Sequence, residues 1–374
     1  IKKKALLIIF LISIILFFKG ISWMNDKNIK EESQIIYNQT LTEINKKMDS
    51  LEASLIYGDI EKAEKITKEI DILMKTGISQ EDEQSAQKYN ELKTNLADYN
   101  KKINKITEIS NPKQLDATLN KSAKSEKIVL DDNNLISFDF SNNIIYKFDF
   151  TKKSSEQWDV YENNKTILSK FSFFSKMKDE NELLGYSKEE NKIHKFNIKN
   201  KTILEIKKGL LSGETADVKY YADNVYILDT KNNQIYVYRN AGRQQWTKEA
   251  NIELTNGISM AIDGNIFVLK EDGKILKFFK GKKENFSLQD INPTISAPTK
   301  IYTNADYKYL YILDQPNRRI LIFEKECSDS KCNLIAQYTS PQFNELQDFT
   351  VDEKNNLMYV LNNGTIYKIN LTVP

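Results

Sequence analysis

Apolar residues in the C-terminal two thirds of the chain occur in short runs separated by polar turns. The clearest unit spans residues 310–323, where an apolar run ends at Asp314, a polar turn follows, and a second apolar run ends at Phe323. Residues 225–238 repeat this pattern, with Asp229 at the end of the first run. Two apolar runs joined by a short polar turn predict a β-hairpin.

This hairpin unit occurs six times between residues 135 and 369. Equivalent positions follow one another at steps of 48, 42, 41, 44 and 48 residues. Apolar segments precede each hairpin and follow most of them, which gives four strands per repeat. Such a repeat is typical of a β-propeller blade, and we predict an all-β six-bladed propeller over residues 127–374. The equivalent positions are Ile136, Leu184, Tyr226, Phe267, Tyr311 and Tyr359.

The last repeat leaves little room for a fourth strand, since its third strand is predicted to end near Ile369 and the sequence stops at Pro374. An incomplete blade would expose unpaired backbone groups at its edge. Residues 111–126 form a polar linker. We expect part of that linker, residues 115–123, to supply the outer strand by pairing with residues 365–370.

Residues 25–110 carry a helical periodicity, with apolar residues at alternating steps of three and four. Interruptions at Gly58 and Gly77 divide the segment into three predicted helices. They are expected to form a small antiparallel bundle, although the same spacing suits a coiled-coil stalk that would make the protein an oligomer. The stripes are Tyr37, Leu41, Ile44, Met48, Leu51 and Leu55, then Ala63, Ile66, Ile70 and Leu73, then Tyr89, Leu92, Leu96, Tyr99, Ile103 and Ile106.

An apolar stretch lies at the N-terminal end, where three lysines precede residues 5–18 and the apolar character continues to Met24. Twenty helical residues rise about 30 Å, the thickness of the hydrocarbon core of a bilayer. We predict a transmembrane helix over residues 1–24 that contacts the membrane through residues 5–24. A cleaved signal peptide and a buried core helix are the alternatives. The predicted fold class is therefore multidomain: a transmembrane helix, an all-α bundle or coiled-coil stalk, and the propeller.

The hairpin of residues 311–323 resembles the NHL repeat. It has the aromatic-apolar-x-Asp pattern ending at Asp314, the Asn-x-Arg-Ile pattern of residues 317–320, and the closing Phe323. Residues 225–238 retain the Asp and the Asn but have Gln234 in place of the Arg. The resemblance implies a propeller that binds proteins, RNA or glycans. Some bacterial members form the external part of membrane-anchored signalling proteins with a cytoplasmic catalytic domain.

Cys327 and Cys332 are the two cysteines of the chain and are separated by a short polar segment. We predict a disulfide, with two free thiols or a metal site as weaker alternatives, because a zinc site needs about four ligands. A disulfide indicates an oxidising compartment, which favours a propeller outside the cytoplasm.

The remaining candidate residues do not form a recognisable catalytic set. His194, the single histidine, is expected to pack within a strand rather than act as a base. Asp229 and Asp314 are expected to hold hairpin turns, and the pair Arg318-Arg319 is expected to form an exposed turn rather than an anion site. Five aspartates near strand ends could gather at the channel, as in a calcium-dependent lactonase of the six-bladed type, although caps of turns are the simpler interpretation: Asp217, Asp263, Asp306, Asp348 and Asp352.

The function predicted from these features is a membrane-anchored, non-catalytic binding or scaffold protein without a cofactor or metal. Its propeller, outside the cytoplasm with the N-terminus inside, would recognise a protein or glycan. Charges nearly cancel, with 54 Lys and Arg against 52 Asp and Glu, so no nucleic-acid partner is expected. One alternative is the sensor part of a receptor kinase or phosphatase whose catalytic domain precedes residue 1, since the sequence does not begin with Met. A calcium-dependent lactonase-like hydrolase is the second alternative.

Overall fold

A computed structural model describes residues 32–78, 83–119, 122–162, 165–208, 214–239, 242–249, 251–327 and 329–373. The chain divides into two compact units, one ending at Asn104 and the other beginning at Lys105.

The first unit is helical in its described part. Helix α1 covers residues 32–56, α2 is Ile60–Gly77 and α3 is Glu83–Ile103. Gly58 has a φ of 73°, a conformation that glycine adopts without strain, and it lets the chain turn between α1 and α2. The carboxylate of Asp59 then caps α2 by accepting the backbone N–H of Lys62 at 3.1 Å.

The apolar stripes of the three helices pack against one another within the chain. Their contact forms a buried cluster that includes Leu51, Ile70 and Leu92, with Met48 and Tyr89 at its edge. The coiled-coil stalk is therefore not supported, because these stripes are already buried against helices of the same unit. The third helix is also shorter than predicted.

The described residues contain no helix that is long and apolar enough to cross a membrane. Their helices are amphipathic: α2, for example, carries eight charged residues, including Lys65 and Lys68, and buries Ala63, Ile66 and Ile70. The predicted anchor, residues 1–24, lies outside the described residues. The described structure therefore does not support the predicted fold class with a transmembrane helix. It does not support the predicted single-pass membrane location either.

The second unit is a six-bladed β-propeller, as predicted. Within each blade the strands are antiparallel and follow one another in sequence order. Blade 1 consists of Lys127–Asp131, Asn134–Asp139, Ile144–Asp149 and Ser154–Asp159; blade 2 of Phe171–Lys176, Glu182–Ser187, Lys192–Asn197 and Thr202–Lys208; blade 3 of Thr215–Tyr221, Asn224–Asp229, Gln234–Arg239 and Gly242–Gln245. Blade 4 consists of Gly257–Ile262, Asn265–Lys270, Ile275–Phe279 and Lys282–Glu284; blade 5 includes Lys300–Tyr302, Tyr309–Asp314, Arg319–Glu324 and Leu334–Thr339; blade 6 includes Leu346–Asp352, Leu357–Asn362 and Thr365–Asn370.

The repeat positions identified in the sequence are structurally equivalent. Each of the six residues is the third residue of the second strand of its blade. In blades 1 and 5 the second strand is buried at every position, because neighbouring blades cover both of its faces. This burial explains the continuous apolar runs that revealed the repeat.

Blade 6 receives its outer strand from residues that precede the propeller. Lys113–Gln114 pairs antiparallel with Thr365–Asn370, with Lys113 opposite Lys368 and Gln114 opposite Tyr367. The backbone N–H of Leu115 extends the ladder by donating to the carbonyl of Ile366 at 2.8 Å. The pairing thus begins two residues before the expected segment, residues 115–123, and only the first residue of that segment takes part in it.

Blade 5 also receives an additional strand. Ile106–Glu108 runs parallel to Leu334–Thr339, with Ile106 opposite Gln337. The ammonium group of Lys105 donates to the carbonyl of Leu334 at 2.6 Å. Ile106 was predicted on the stripe of the third helix, which instead ends at Ile103, so this part of the helical prediction is wrong. The remaining short elements are the strand pairs Tyr161–Glu162 with Lys165–Thr166 and Ser287–Leu288 with Lys331–Cys332, and the 3-10 turns Leu168–Lys170 and Glu353–Asn355.

Candidate functional site

The Asp and Asn that recur in the repeat hairpin hold its turn. In blade 3, the carboxylate of Asp229 accepts the backbone N–H of Asn232 at 3.0 Å and its side-chain amide at 2.7 Å. In blade 5, the carboxylate of Asp314 accepts the side-chain amide of Asn317 at 2.9 Å. The predicted role of Asp229 and Asp314 in their turns is therefore confirmed, because both carboxylates accept hydrogen bonds from residues of the turn.

The two arginines of this hairpin have different environments. Arg318 is exposed and has a φ of 52°, as in a turn. Arg319 is only 2% exposed. It donates to the carboxylate of Asp314 at 2.7 Å, to the side-chain oxygen of Gln337 at 2.6 Å and to the carbonyl of Pro293 at 2.5 Å. The expectation of an exposed turn is correct for Arg318 and wrong for Arg319.

Two further predictions concern single side chains. Cys327 and Cys332 form the predicted disulfide, with their Cα atoms 5.1 Å apart. His194 lies in the third strand of blade 2, and its ring packs edge-on against Phe171 with the ring centres 5.1 Å apart. His194 is therefore a packed strand residue, as expected.

A central channel is the candidate binding site. It encloses about 1090 Å³ and is lined by the first strand of every blade, from Lys127–Asp131 in blade 1 to Leu346–Asp352 in blade 6. One end of the channel, here named the hairpin mouth, is formed by the loops that join first and second strands. These loops are residues 132–133, 177–181, 222–223, 263–264, 303–308 and 353–356.

Structurally equivalent channel positions carry different chemistry. The repeat position on the second strand of each blade pairs with one residue of the first strand. The residue two places before that partner therefore occupies an equivalent position in all six blades. A purely structural repeat would place similar side chains there. The six residues are Lys127, Phe173, Asp217, Ser259, Lys300 and Asp348.

Asp217 joins blade 3 to blade 4. One oxygen of its buried carboxylate accepts the backbone N–H of Val218 at 2.8 Å and the ammonium group of Lys219 at 2.8 Å. The other oxygen accepts the backbone N–H of Met260 at 2.7 Å and the hydroxyl of Ser259 at 3.2 Å. All of these donors stabilise the charged carboxylate.

Asp348 joins blade 6 to blade 1 in the same way. Its carboxylate accepts the backbone N–H of Phe349 at 2.9 Å and of Ile128 at 3.0 Å, and it pairs with the ammonium group of Lys300 at 2.5 Å. Burial alone would raise the pKa of Asp348, but the charges of Lys300 and Lys127 together with the hydrogen bonds lower it below its ordinary value. Asp348 is thus held in its charged form.

The other three candidate aspartates are separate from these two. The carboxylate of Asp263 pairs with the ammonium group of Lys325 at 3.0 Å, and that of Asp352 accepts the backbone N–H of Asn355 at 3.2 Å. Asp306 is exposed at the hairpin mouth. Among the described residues, no group of three or more His, Cys, Asp or Glu side chains is arranged to hold a metal ion. The structure therefore does not bring the five aspartates together.

Aromatic and charged side chains surround the hairpin mouth. The hydroxyl of Tyr220 donates to the carboxylate of Asp223 at 3.0 Å. Burial and this carboxylate raise the pKa of Tyr220 to about 12, so the phenol stays protonated at neutral pH. Asp223 also lies 3.8 Å from the ammonium group of Lys178, and Lys176 pairs with Asp132. The mouth therefore presents hydroxyl, carboxylate and ammonium groups side by side.

Sequence inspection alone missed the channel lysines. Lys127, Lys219 and Lys300 lie in different blades, so nothing in the local sequence groups them. Aligning the first strands of the six repeats, rather than the hairpins, would have placed Lys127 and Lys300 at the same position as Asp217 and Asp348.

No known family profile matches the chain, and no curated protein matches its sequence. Among solved structures, streptogramin B lyase is 15% identical, with the alignment covering 68% of this chain and 81% of the lyase at a TM-score of 0.46. Hydrazine synthase of Kuenenia stuttgartiensis is 14% identical, with 69% and 99% covered and a TM-score of 0.45. The structure of U3-55K is 7% identical, with 70% and 100% covered and a TM-score of 0.49. Similarity at this level carries no information about ligand or activity.

Proposed function

We propose that this protein is a non-catalytic binding module whose propeller recognises a protein or glycan partner through the central channel, which the partner enters at the hairpin mouth. The observation that carries the proposal is the chemical difference among equivalent channel positions: one phenylalanine, one serine, two lysines and two aspartates occupy one register of the six blades. Symmetry of the backbone is kept while symmetry of the lining is lost, as is expected of a recognition surface on a repeated scaffold.

The environment of the channel carboxylates supports recognition rather than carboxylate catalysis. Asp217 and Asp348 each accept two backbone N–H groups and a lysine ammonium, so their hydrogen-bonding capacity is used to join neighbouring blades. A general base or a calcium ligand needs a carboxylate oxygen that can turn toward a substrate or an ion. These two carboxylates are fixed instead.

We further propose that the repeat is NHL-like. The support comes from the blade 5 hairpin, where Asn317 and Arg319 of the resembling pattern both donate to the carboxylate of Asp314. These contacts lie within the hairpin, so the residues of the NHL-like pattern stabilise the fold of the blade. The choice of partner is then made by the residues of the channel and its mouth.

A binding screen with a mouth variant tests the proposed function. The full chain would be screened against a glycan array and a displayed peptide library, and each hit would be measured again with Asp306→Lys, which reverses an exposed charge at the mouth. Asp290→Lys is the matched control, because the side chain of Asp290 is 98% exposed and does not line the channel. We expect at least a tenfold loss of affinity for Asp306→Lys and none for Asp290→Lys. Hits that bind both variants equally would contradict a site at this mouth.

A further inference from the structure

Three lysines from three blades line the same part of the channel. Lys127 and Lys300 are the first residues of the first strands of blades 1 and 5, and Lys219 lies in the first strand of blade 3. All three line the cavity of about 1090 Å³. We name these three residues the lysine cluster.

The positive charge of the lysine cluster is only partly balanced. Lys219 pairs with Asp217 at 2.8 Å and Lys300 pairs with Asp348 at 2.5 Å. Lys127 forms neither an ion pair nor a side-chain hydrogen bond with any residue that the structure describes. Three ammonium groups thus face two carboxylates, and both carboxylates also accept backbone N–H groups.

The lysines act on one another through space. Burial lowers the pKa of Lys300, the carboxylate of Asp348 opposes this effect, and the charges of Lys219 and Lys127 lower the pKa further. Such mutual repulsion is expected where ammonium groups line one cavity. An added negative charge near Lys127 would relieve it.

Asp132, the acidic residue of the hairpin mouth on the same blade, is far from Lys127 along the strand. Lys127 begins its strand and Asp132 follows the end of the same strand, five residues later. At about 3.3 Å per residue, the backbone positions are roughly 16 Å apart, which is about twice the screening length at physiological ionic strength. Asp132 therefore does little to offset the positive charge of Lys127.

We propose that the lysine cluster binds an anionic oxygen group of a ligand, a carboxylate or a phosphate, with Lys127 as its main contact. Lys219 and Lys300 remain paired with their aspartates and contribute the surrounding positive field. The proposal rests on the proposed function, since it names the chemistry of a group that the channel would accept from a bound partner.

Equilibrium dialysis of the full chain tests this proposal, with labelled inorganic phosphate and labelled acetate as separate probes at constant ionic strength. The two probes distinguish a phosphate site from a carboxylate site. We expect saturable binding of at least one probe at one site per chain, weakened at least tenfold by Lys127→Met and largely restored by Lys127→Arg. Lys152→Met is the control on the same blade, because Lys152 is exposed in a hairpin turn beside Asp149.

Two results would overturn the proposal: no saturable binding of either probe, or binding that Lys127→Met leaves unchanged. Both results are independent of partner binding at the hairpin mouth, because that binding is tested separately with Asp306→Lys. A chain whose partner affinity responds to Asp306→Lys but which binds no small anion would retain the proposed function and lose only the lysine cluster as an anion site.

Discussion

The buried side chain of Arg319 gives the sharpest test of how the hairpin is stabilised. Replacing it with Met removes three hydrogen bonds and leaves the carboxylate of Asp314, which is 0% exposed, without its cationic partner. Removing one member of a buried ion pair costs about 3–5 kcal/mol, because the remaining charge stays buried and uncompensated. At about 1.4 kcal/mol per factor of ten, the equilibrium constant for folding should fall by a factor of roughly 10² to 4 × 10³.

Urea denaturation of the full chain, followed by tryptophan fluorescence, measures this cost in the propeller, where Trp158 and Trp246 lie. Arg318→Met is the matched control and should change stability by no more than about 0.5 kcal/mol, because Arg318 is exposed. The double variant Asp314→Asn with Arg319→Met should be more stable than Arg319→Met alone, since it also removes the unpaired charge. A loss below about 1 kcal/mol for Arg319→Met would refute the interpretation that Arg319 stabilises blade 5 through a buried pair.

Two other predictions concern ring closure. Leu115→Pro removes the backbone N–H that donates to the carbonyl of Ile366. It should destabilise the propeller by about 1 kcal/mol more than Leu115→Ala, as measured by urea denaturation. Equal losses of stability in the two variants would assign the whole effect to packing of the Leu115 side chain. Because the folded pKa of Asp348 lies below the unfolded value near 4, its contribution to stability is present above that pH and is lost as the pH falls through the folded pKa. Urea midpoints between pH 7 and pH 3 should therefore fall less steeply for Asp348→Asn than for the unsubstituted chain, and parallel curves would contradict this.

The propeller was predictable from sequence because its second strands are buried on both faces. That burial leaves continuous apolar runs, and their spacing alone gives the number of blades. The need for a closing strand also followed from the short last repeat, but its register did not. Lys113 and Gln114 pair with blade 6 through backbone hydrogen bonds, which nearly any side chain allows. The sequence therefore does not show which residues form the pairs.

Features that depend on contacts between distant segments were not visible in the sequence. Ile106 fits a helical stripe, yet it pairs with Gln337, which is 337 − 106 = 231 residues away. The burial of Arg319 depends on Gln337 and on the carbonyl of Pro293, and neither belongs to the hairpin. The lysine cluster likewise arises only when blades 1, 3 and 5 close around the channel.

The strand pairing that closes blade 6 sets the order in which the propeller can be completed during synthesis. Lys113 and its partner Lys368 are 368 − 113 = 255 residues apart, so one leaves the ribosome long before the other is made. At about 5–20 residues per second, the interval is roughly 13–50 s. Throughout that time, Lys113–Gln114 has no strand to pair with, and the growing blades form an open arc with an exposed edge. The ring can therefore close only after residues 365–370 have been made, and until then the nascent arc exposes strand edges that can pair with another copy.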